Sequence, residues 1–478
     1  MIKWGVAAGT HDGSLAVVQD NNILFASHSE RYSRKKNDPH LNSDLIEKAL
    51  EYGQPDIIHW YENPYKKALR KFVADQPNKW MNPRKYLSEY GIQGDIKYGD
   101  HHKSHAAAGF ATSKFDSAAV LVIDAIGEFT TTSIGIYETD GRGKISGKKL
   151  YSRRYPESLG LFYSAITDRV QLKANEDEYI LMGMSAYGEP SHAEEMRKML
   201  QYKYNFHNGC RKFFPQADHF DLAASAQKVY EEEFIKLLSY TETLTKSDNL
   251  VLMGGCALNC LANRHVHKFF KNVWVMPNPG DAGSSIGAIA AGEMQMLNWE
   301  TPYLGEEIKG KYPIKHIMGE LLENNIVGVA NGKAEFGPRA LGNRSLFANP
   351  TGQEMKDLVN KIKQRQEFRP FAPVILEEDV HKHFYVEKGF SSPYMQYIVK
   401  AKDREMYPAI VHKDGTSRVQ TVTRKQHSGL YRLLKQWKKH TGIPMLLNTS
   451  LNIKGEPMVN NRKDADLFQK KYGVKVVS

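Results

Sequence analysis

The sequence predicts an α/β fold in two domains, and three observations carry that prediction. Apolar runs that read as buried strands end in a carboxylate or glycine: SAAVLVID (117–124) ends at Asp124, NLVLMGG (249–255) in a glycine pair, and NVWVM (272–276) just before Pro277-Asn278-Pro279-Gly280-Asp281. The last two lead through glycine-containing turns into helices rich in small residues, the alternation that builds a sheet with helices on its faces. Finally, the stretch 300–320, TPYLGEEIKGKYPIKHIMGE, mixes proline, glycine and charge without a clear period and reads as a linker. The domain boundary is expected there, with domains over 1–310 and 320–478.

The elements follow in order. IKWGVAA, SLAVVQD and ILFAS read as strands, the last two joined at a DNN turn, with a Gly-Thr-His-Asp-Gly loop between the first two. NSDLIEKALEYG places Leu45, Ile46, Ala49 and Leu50 on one helical face, with Ser43 expected as N-cap and Gly53 as the stop. Beyond the linker come IVGVANG as a strand, Gln353–Gln364 as a helix, SGLYRLLKQWKKHTG as an amphipathic helix and IPMLLN as a strand. No internal repeat is visible.

Composition narrows the class. With 41% hydrophobic and 25% charged residues over 478 positions, the chain falls outside disordered, collagen-like and membrane-filling compositions. No apolar run approaches the roughly 18–20 residues of a membrane span, and the N-terminus lacks the pattern of a signal peptide, so a cytoplasmic location is expected. The three cysteines, Cys210, Cys256 and Cys260, are too few for a disulfide framework; Cys256 and Cys260 read as core thiols because no second pair exists to complete a zinc site. From residue 320 onward, 27 Lys+Arg face 16 Asp+Glu, a difference of +11 that equals the net charge of the whole chain. Such asymmetry suits a half that handles anions, either phosphorylated substrates or nucleic acid.

Three constellations could carry chemistry. In Asp100-His101-His102-Lys103-Ser104-His105, His101 and His105 lie i, i+4 on one helical face and could share a metal. With the carboxylates Asp124 and Asp281 they would make an N2O2 set suited to iron, manganese or zinc. Gly254-Gly255, running to Asn259, and the Gly280–Gly283 turn could offer backbone N–H groups to a phosphate. Arg339 and Arg344 flank a Gly-Pro/Gly turn ahead of Lys361, Lys363, Arg365, Arg369 and Pro370-Phe371-Ala372-Pro373, a grouping suited to fork-like anion recognition.

Taken together, HDGSLAVV, ERYSRKK, HHKSHAA, VIDAIGE, EYILMGMSAYG, GGCALN, NPGDAGSSIGA, EFGPRALGNRS, KQRQEFRPFAP, HKDGTSRVQTV and NTSLNIKGEPMV resemble, in order, the ATP-dependent O-carbamoyltransferases of nodulation-factor and antibiotic tailoring. The resemblance implies an actin-like ATPase-superfamily domain similar to threonylcarbamoyl transferases, followed by a smaller domain similar to threonylcarbamoyl-adenylate synthases. It implies that carbamoyl phosphate and ATP, with Mg, yield carbamoyl-adenylate, and that the carbamoyl group then passes to an acceptor hydroxyl. Carried over by position, His101, His105, Asp124 and Asp281 would hold a metal, usually iron. Gly254, Gly255 and Asn259 would contact nucleotide; Lys36, Arg339, Arg344, Arg369, Arg418 and Asn448 would contact phosphates, with Arg344 also catalytic; and His11 or Asp12 would take the acceptor proton.

This chain departs from the family pattern at Ile180, where a lysine is usual, at Ala125, where glycine is usual, and at Ser27-His28-Ser29, which replaces a more acidic run. The basic surplus directs the expectation for the acceptor toward a hydroxymethylated pyrimidine, such as 5-hydroxymethylcytosine, in DNA or as a nucleotide. A sugar, antibiotic or lipo-oligosaccharide hydroxyl is the alternative, and a non-catalytic nucleic-acid-binding protein a further one.

Overall fold

The computed structural model describes residues 1–9, 11–73, 81–369 and 371–478; Thr10 of the first loop and Pro370 of the RPFAP motif lie outside them. The chain divides into two compact units, Met1–Ser29 with Asn37–Glu300, and Glu30–Lys36 with Thr301–Ser478. The heptapeptide ERYSRKK therefore belongs to the second unit although the sequence around it belongs to the first.

The first unit is α/β. Strand β1 (Ile2–Ala7) pairs antiparallel with β2 (Ser14–Gln19), and β2 with β3 (Asn22–His28). The helix α1 (Ser43–Leu50) follows, capped by Asn42, whose side chain accepts the Leu45 N–H; Asn42 thus holds the position expected for Ser43, which is the first helical residue. Strand β4 (Ile57–Trp60) lies parallel to β1, α2 spans Pro64–Val73, and β5 (Asp95–Tyr98) lies parallel to β4, leading into α3 (His101–Ser113).

The same order then recurs. Strands β6 (Ser117–Gly127), β7 (Thr130–Thr139) and β8 (Ile145–Arg154) form an antiparallel meander, and the long helix α4 (His219–Thr245) leads to β9 (Asn249–Met253), parallel to β6. Parallel to β9 comes β10 (Asn272–Val275), followed by α5 (Ser284–Glu293). Both sheets thus read third–second–first–fourth–fifth strand across their width. The sequence shows no repeat, yet the topology is duplicated, and the duplication makes the loop after β1 the counterpart of the end of β6, and α3 the counterpart of α5.

Small residues allow the close approaches this architecture needs. A Cβ at Gly287 of α5 would fall 2.0 Å from the Ser104 carbonyl oxygen of α3, and one at Gly5 of β1 would fall 1.8 Å from that of Ser285. The small-residue composition of α5 is therefore a packing requirement.

The second unit is also α/β. Residues 300–320, expected as a linker, contain β11 (Tyr303–Ile308) and the start of a helix, Ile314–Asn324, because β11 finds an antiparallel partner in the strand Gly332–Glu335. Strands β12 (Ile326–Ala330), β13 (Gly332–Glu335), β14 (Arg344–Ala348), β15 (Ala372–Leu376), β16 (Ile398–Lys400), β17 (Thr416–Arg418), β18 (Gln420–Val422), β19 (Met445–Ser450) and β20 (Val476–Val477) follow, with α6 (Gln353–Lys363) and α7 (Ser428–Thr441). Six of these strands form one sheet in the order β18-β15-β19-β14-β12-β20. Alternation places Leu346, Ile375, Met445 and Leu447 in one buried cluster, and Phe347, Val374, Leu376 and Leu446 in another, as period-two strands covered on both faces require. No described helix is long and apolar enough to cross a membrane.

Candidate metal centre and anion-binding residues

In the first unit, Asp100 caps α3 by accepting the Lys103 N–H at 3.1 Å, which starts the helix with His101 in its first turn. His101 and His105 then stack one turn apart with their Nε2 atoms 3.1 Å from each other. Asp124, at the carboxyl-terminal part of β6, places Oδ2 3.0 Å from His101 Nε2, and Asp281, just before α5, places Oδ1 3.3 Å from His105 Nε2 and 3.5 Å from His101 Nε2. One ligand atom from each of the four side chains falls within 4.8 Å of all the others.

Every member of this group is held from behind. The Gly255 N–H donates to the second oxygen of Asp124 at 3.2 Å. His105 Nδ1 lies 3.3 Å from the Ser284 hydroxyl, and His101 Nδ1 faces Glu62 Oε2 at 3.9 Å, Glu62 being ion-paired in turn with Lys67. The Asp281 loop is pinned by Ser14, whose hydroxyl donates to the Ala282 carbonyl at 2.7 Å, and by Asn278, whose amide donates to His28 Nε2 at 2.9 Å. Gly127 makes room for an imidazole: a Cβ there would sit 2.1 Å from His101 Cδ2. With Nδ1 directed outward, each imidazole turns Nε2 inward, the orientation seen in ligand histidines backed by carboxylate or hydroxyl groups.

Electrostatics agree with this geometry. Burial opposes charge on His101, but Asp281, Asp124 and Glu62 overrule it and raise its pKa well above the ordinary histidine value. Burial also opposes charge on Asp124, yet the His101 contact and the neighbouring imidazoles hold its carboxyl far below the usual range. His102 turns away to the Ser133 hydroxyl at 2.9 Å and is pushed down to about 3 by burial and by His101. Two imidazole nitrogens and two carboxylate oxygens converging in a buried space are the donor set of a first-row transition metal, and these residues fit one.

The loop after β1 brings His11 and Asp12 into the same electrostatic neighbourhood. His11 Nδ1 lies 3.1 Å from Asp12 Oδ2; burial opposes its charge, but Asp12, Asp281 and Glu178 bring its pKa up to about 9. His11 Nε2 is buried and has no hydrogen-bond partner among the described residues. Asp12 adopts φ 53°, a left-handed conformation that few side chains other than Asp and Asn tolerate.

The glycine pair and Asn259 divide differently from the expectation. Gly254 has φ 90°, and a Cβ there would fall 2.1 Å from the Ile123 carbonyl oxygen, while Gly255 serves Asp124. Asn259 spends its amide inside the protein, exchanging hydrogen bonds with Gln227 at 3.1 and 3.2 Å and accepting the Ala262 N–H. The structure thus gives Asn259 a capping role. Cys256 is pushed up to about 12 by burial, and neither it nor Cys260 joins a metal-type grouping among the described residues. Ile180 is buried, and the Ala125 carbonyl accepts from the Ser158 hydroxyl at 2.6 Å.

In the second unit, Lys363, at the end of α6, is buried and donates to the Ser450 carbonyl at 2.5 Å, the Ser450 hydroxyl at 3.1 Å and Asn452 Oδ1 at 2.7 Å. Burial, then the cations Arg365, Arg369 and Lys36, push its pKa well below the ordinary lysine value. Lys36 itself is paired with Glu30 at 3.0 Å. Arg418 Nε and Asn448 Oδ1 are buried without a hydrogen-bond partner among the described residues, although the Asn448 amide donates to the Ala340 carbonyl and Gln420. Arg339 and Arg369 are half-buried.

Arg344 requires a correction. Its guanidinium is fully buried on β14 and donates to five backbone carbonyls, those of Asn460, Asn331, Gly332, Asn343 and Glu306, at 2.9–3.1 Å. Glu335 organises the same turn by accepting the N–H groups of Leu341, Asn343 and Arg344. With its donors turned to carbonyls, Arg344 ties the second unit together and is not presented to a phosphate or a reacting group. Sequence reasoning also overlooked Glu62, which ends the β4 run (IIHWYE) as Asp124 ends that of β6; the same strand-end carboxylate signal would have found it.

Comparison with known proteins places the chain in a family. The family Carbamoyltransferase N-terminus matches residues 61–290 and Carbamoyltransferase C-terminus matches residues 318–477. A protein of Synechocystis sp. described as uncharacterized, sll1178, is 33% identical over 96% of this chain and 93% of its own length. Nodulation protein NolNO of Sinorhizobium fredii is 29% identical over 95% of this chain and 76% of its own, and the 3'-hydroxymethylcephem-O-carbamoyltransferase of Amycolatopsis lactamdurans 26% over 97% and 95%. The chain accordingly belongs to the carbamoyltransferase family and is an enzyme of carbamoyl transfer.

Proposed function

We propose that this enzyme is an ATP-dependent O-carbamoyltransferase whose two units divide the work. The second unit takes carbamoyl phosphate and MgATP: water attacks the phosphorus of carbamoyl phosphate and releases phosphate and carbamate, and the carbamate oxygen then attacks the α-phosphorus of ATP, pyrophosphate leaving, to form carbamoyl-adenylate. Lys36, Arg339, Arg369, Arg418 and Asn448 bind the phosphates; Arg344 holds the turn beside them, as Lys363 holds Ser450 and Asn452. The first unit, read as the actin-like domain on its duplicated sheets, transfers the carbamoyl group. There the acceptor oxygen attacks the carbamoyl carbon, the bond to the adenylate oxygen breaks, AMP departs, and the carboxylate of Asp12, held by the charged His11, takes the acceptor proton. Gly254 and Gly255 shape the turn beside the nucleotide.

His101, His105, Asp124 and Asp281 would hold the metal, by preference Fe(II), with Mn or Zn as alternatives; when bound it supplies Lewis-acid polarisation of the transferring group. The convergence of these four donor atoms within 4.8 Å is the observation that carries this reading. Exclusion of water matters because the adenylate is an activated acyl group.

For the acceptor we favour a hydroxymethylated pyrimidine, such as 5-hydroxymethylcytosine, in DNA or as a nucleotide, on the strength of the basic surplus, and a cytoplasmic location follows from that substrate. The cephem relative supports the alternative, a small-molecule or sugar hydroxyl. Mass spectrometry after incubation with carbamoyl phosphate, MgATP and either a 5-hydroxymethylcytosine oligonucleotide or a sugar panel tests the choice. A carbamoylated base is expected; carbamoylated sugar with unmodified oligonucleotide contradicts it.

A further inference from the structure

The helix α2 is amphipathic in an unusual sense. Its inward positions carry Lys67 and Arg70, both buried, whereas Tyr65, Leu69, Phe72 and Val73 point outward with exposures of 60, 56, 76 and 64%. These fall at i, i+4, i+7 and i+8, one continuous stripe. At the end of β5, Tyr98 adds a further exposed ring, 6.1 Å from that of Tyr65 and inclined at 79° to it. An exposed apolar surface of this kind marks an interaction site.

Its charge narrows the partner. Besides the buried Lys67 and Arg70, α2 offers Lys66, 3.7 Å from Asp100, and Lys71, and it contains no carboxylate. Arg84, Lys97 and Lys103 are exposed on the neighbouring segments, and Arg84 acts electrostatically on Tyr98. Position adds a third constraint. α2 begins directly after Glu62, which faces His101, and β5 runs through Asp100 into the helix that carries His101 and His105. Along the chain, the platform thus flanks the segments that carry Glu62, His101 and His105.

We propose that the outer face of α2 and the end of β5 form a docking platform for single-stranded nucleic acid, on which pyrimidines beside the acceptor base stack against Tyr65, Tyr98 and Phe72 while the surrounding cations follow the phosphates. This inference rests on the pyrimidine reading of the acceptor. Exposed rings interleaved with cations are the elements of single-strand recognition. A lipid surface fits less well, since two rings inclined at 79° cannot both lie flat along it.

Fluorescence anisotropy of the full chain with a labelled single-stranded pyrimidine oligonucleotide containing 5-hydroxymethylcytosine tests the platform. Replacing Tyr65 and Tyr98 together by alanine should weaken Kd at least about tenfold, and Lys97→Glu with Lys103→Glu should flatten its dependence on salt. Bound metal content and the circular dichroism spectrum should be unchanged in both variants, which verifies folding of the first unit. Equal affinity of wild type and variants, no binding by the wild type, or a preference for anionic phosphatidylserine vesicles overturns the platform, as does self-association through these tyrosines. Transfer to free 5-hydroxymethyldeoxycytidine is measured in parallel, so that the acceptor reading stands or falls separately.

Discussion

The metal-type centre of the first unit is buried, the cationic cluster of the second runs from the buried Lys363 through the half-buried Arg365 and Arg369 to the exposed Lys36, and the two present opposite electrostatic problems. In the first, Asp124 and Asp281 meet two imidazole nitrogens, and the residues behind them, Gly255, Ser284, Glu62, Ser14 and His28, leave the donor atoms aimed at one another. In the second, Lys363 lies among the cations Arg365, Arg369 and Lys36 while its own ammonium meets the oxygens of Ser450 and Asn452, and Arg418 Nε has no acceptor among the described residues. The donor set of the first region suits a cation, and the cation-rich second region suits an anion. Arg344 sharpens the contrast, since it is equally buried and cationic but meets carbonyls throughout, and so calls for no ligand.

The largest expected effect separates Arg418 from Arg344. Arg418→Met should raise the KM for carbamoyl phosphate on the order of a hundredfold, about 3 kcal/mol of lost anion binding. Steady-state kinetics of pyrophosphate release reads it directly, and an unchanged KM would make Arg418 a structural residue like Arg344. A smaller effect is expected from the supporting layer of the other centre. His28→Ala removes the acceptor that holds Asn278 and loosens the loop carrying Asp281, so metal affinity should fall roughly 10–100-fold. Competition with a chelator, read by metal analysis, measures that shift, and unaltered affinity would show that Ser14 suffices to fix the loop.

Much of the first centre was legible in the chain because its donors follow local rules. The i, i+4 histidines share a helix face, and the carboxylates sit at or just beyond strand ends, where α/β sheets gather ligands. Glu62 obeys the same rule as Asp124. The duplicated sheet order was not legible, since strand pairing can repeat while side chains diverge. Local pattern could not assign Arg344 or Asn259 either. A guanidinium beside a glycine turn suits a phosphate or a set of carbonyls equally well, and only the folded positions of residues 306, 331 and 460 decide between them. Nor could the residues of 300–320 reveal a strand whose partner, β13, lies beyond them.

The division of labour is tested most directly by purifying wild type and Asp281→Ala and measuring metal content, pyrophosphate release and carbamoyl transfer on the same samples. The wild type should carry stoichiometric metal and perform both steps, whereas the variant should lose the metal and the transfer while still releasing pyrophosphate in response to carbamoyl phosphate. A variant that keeps its metal, or that loses pyrophosphate release together with transfer, would contradict the assignment of the two steps to separate centres.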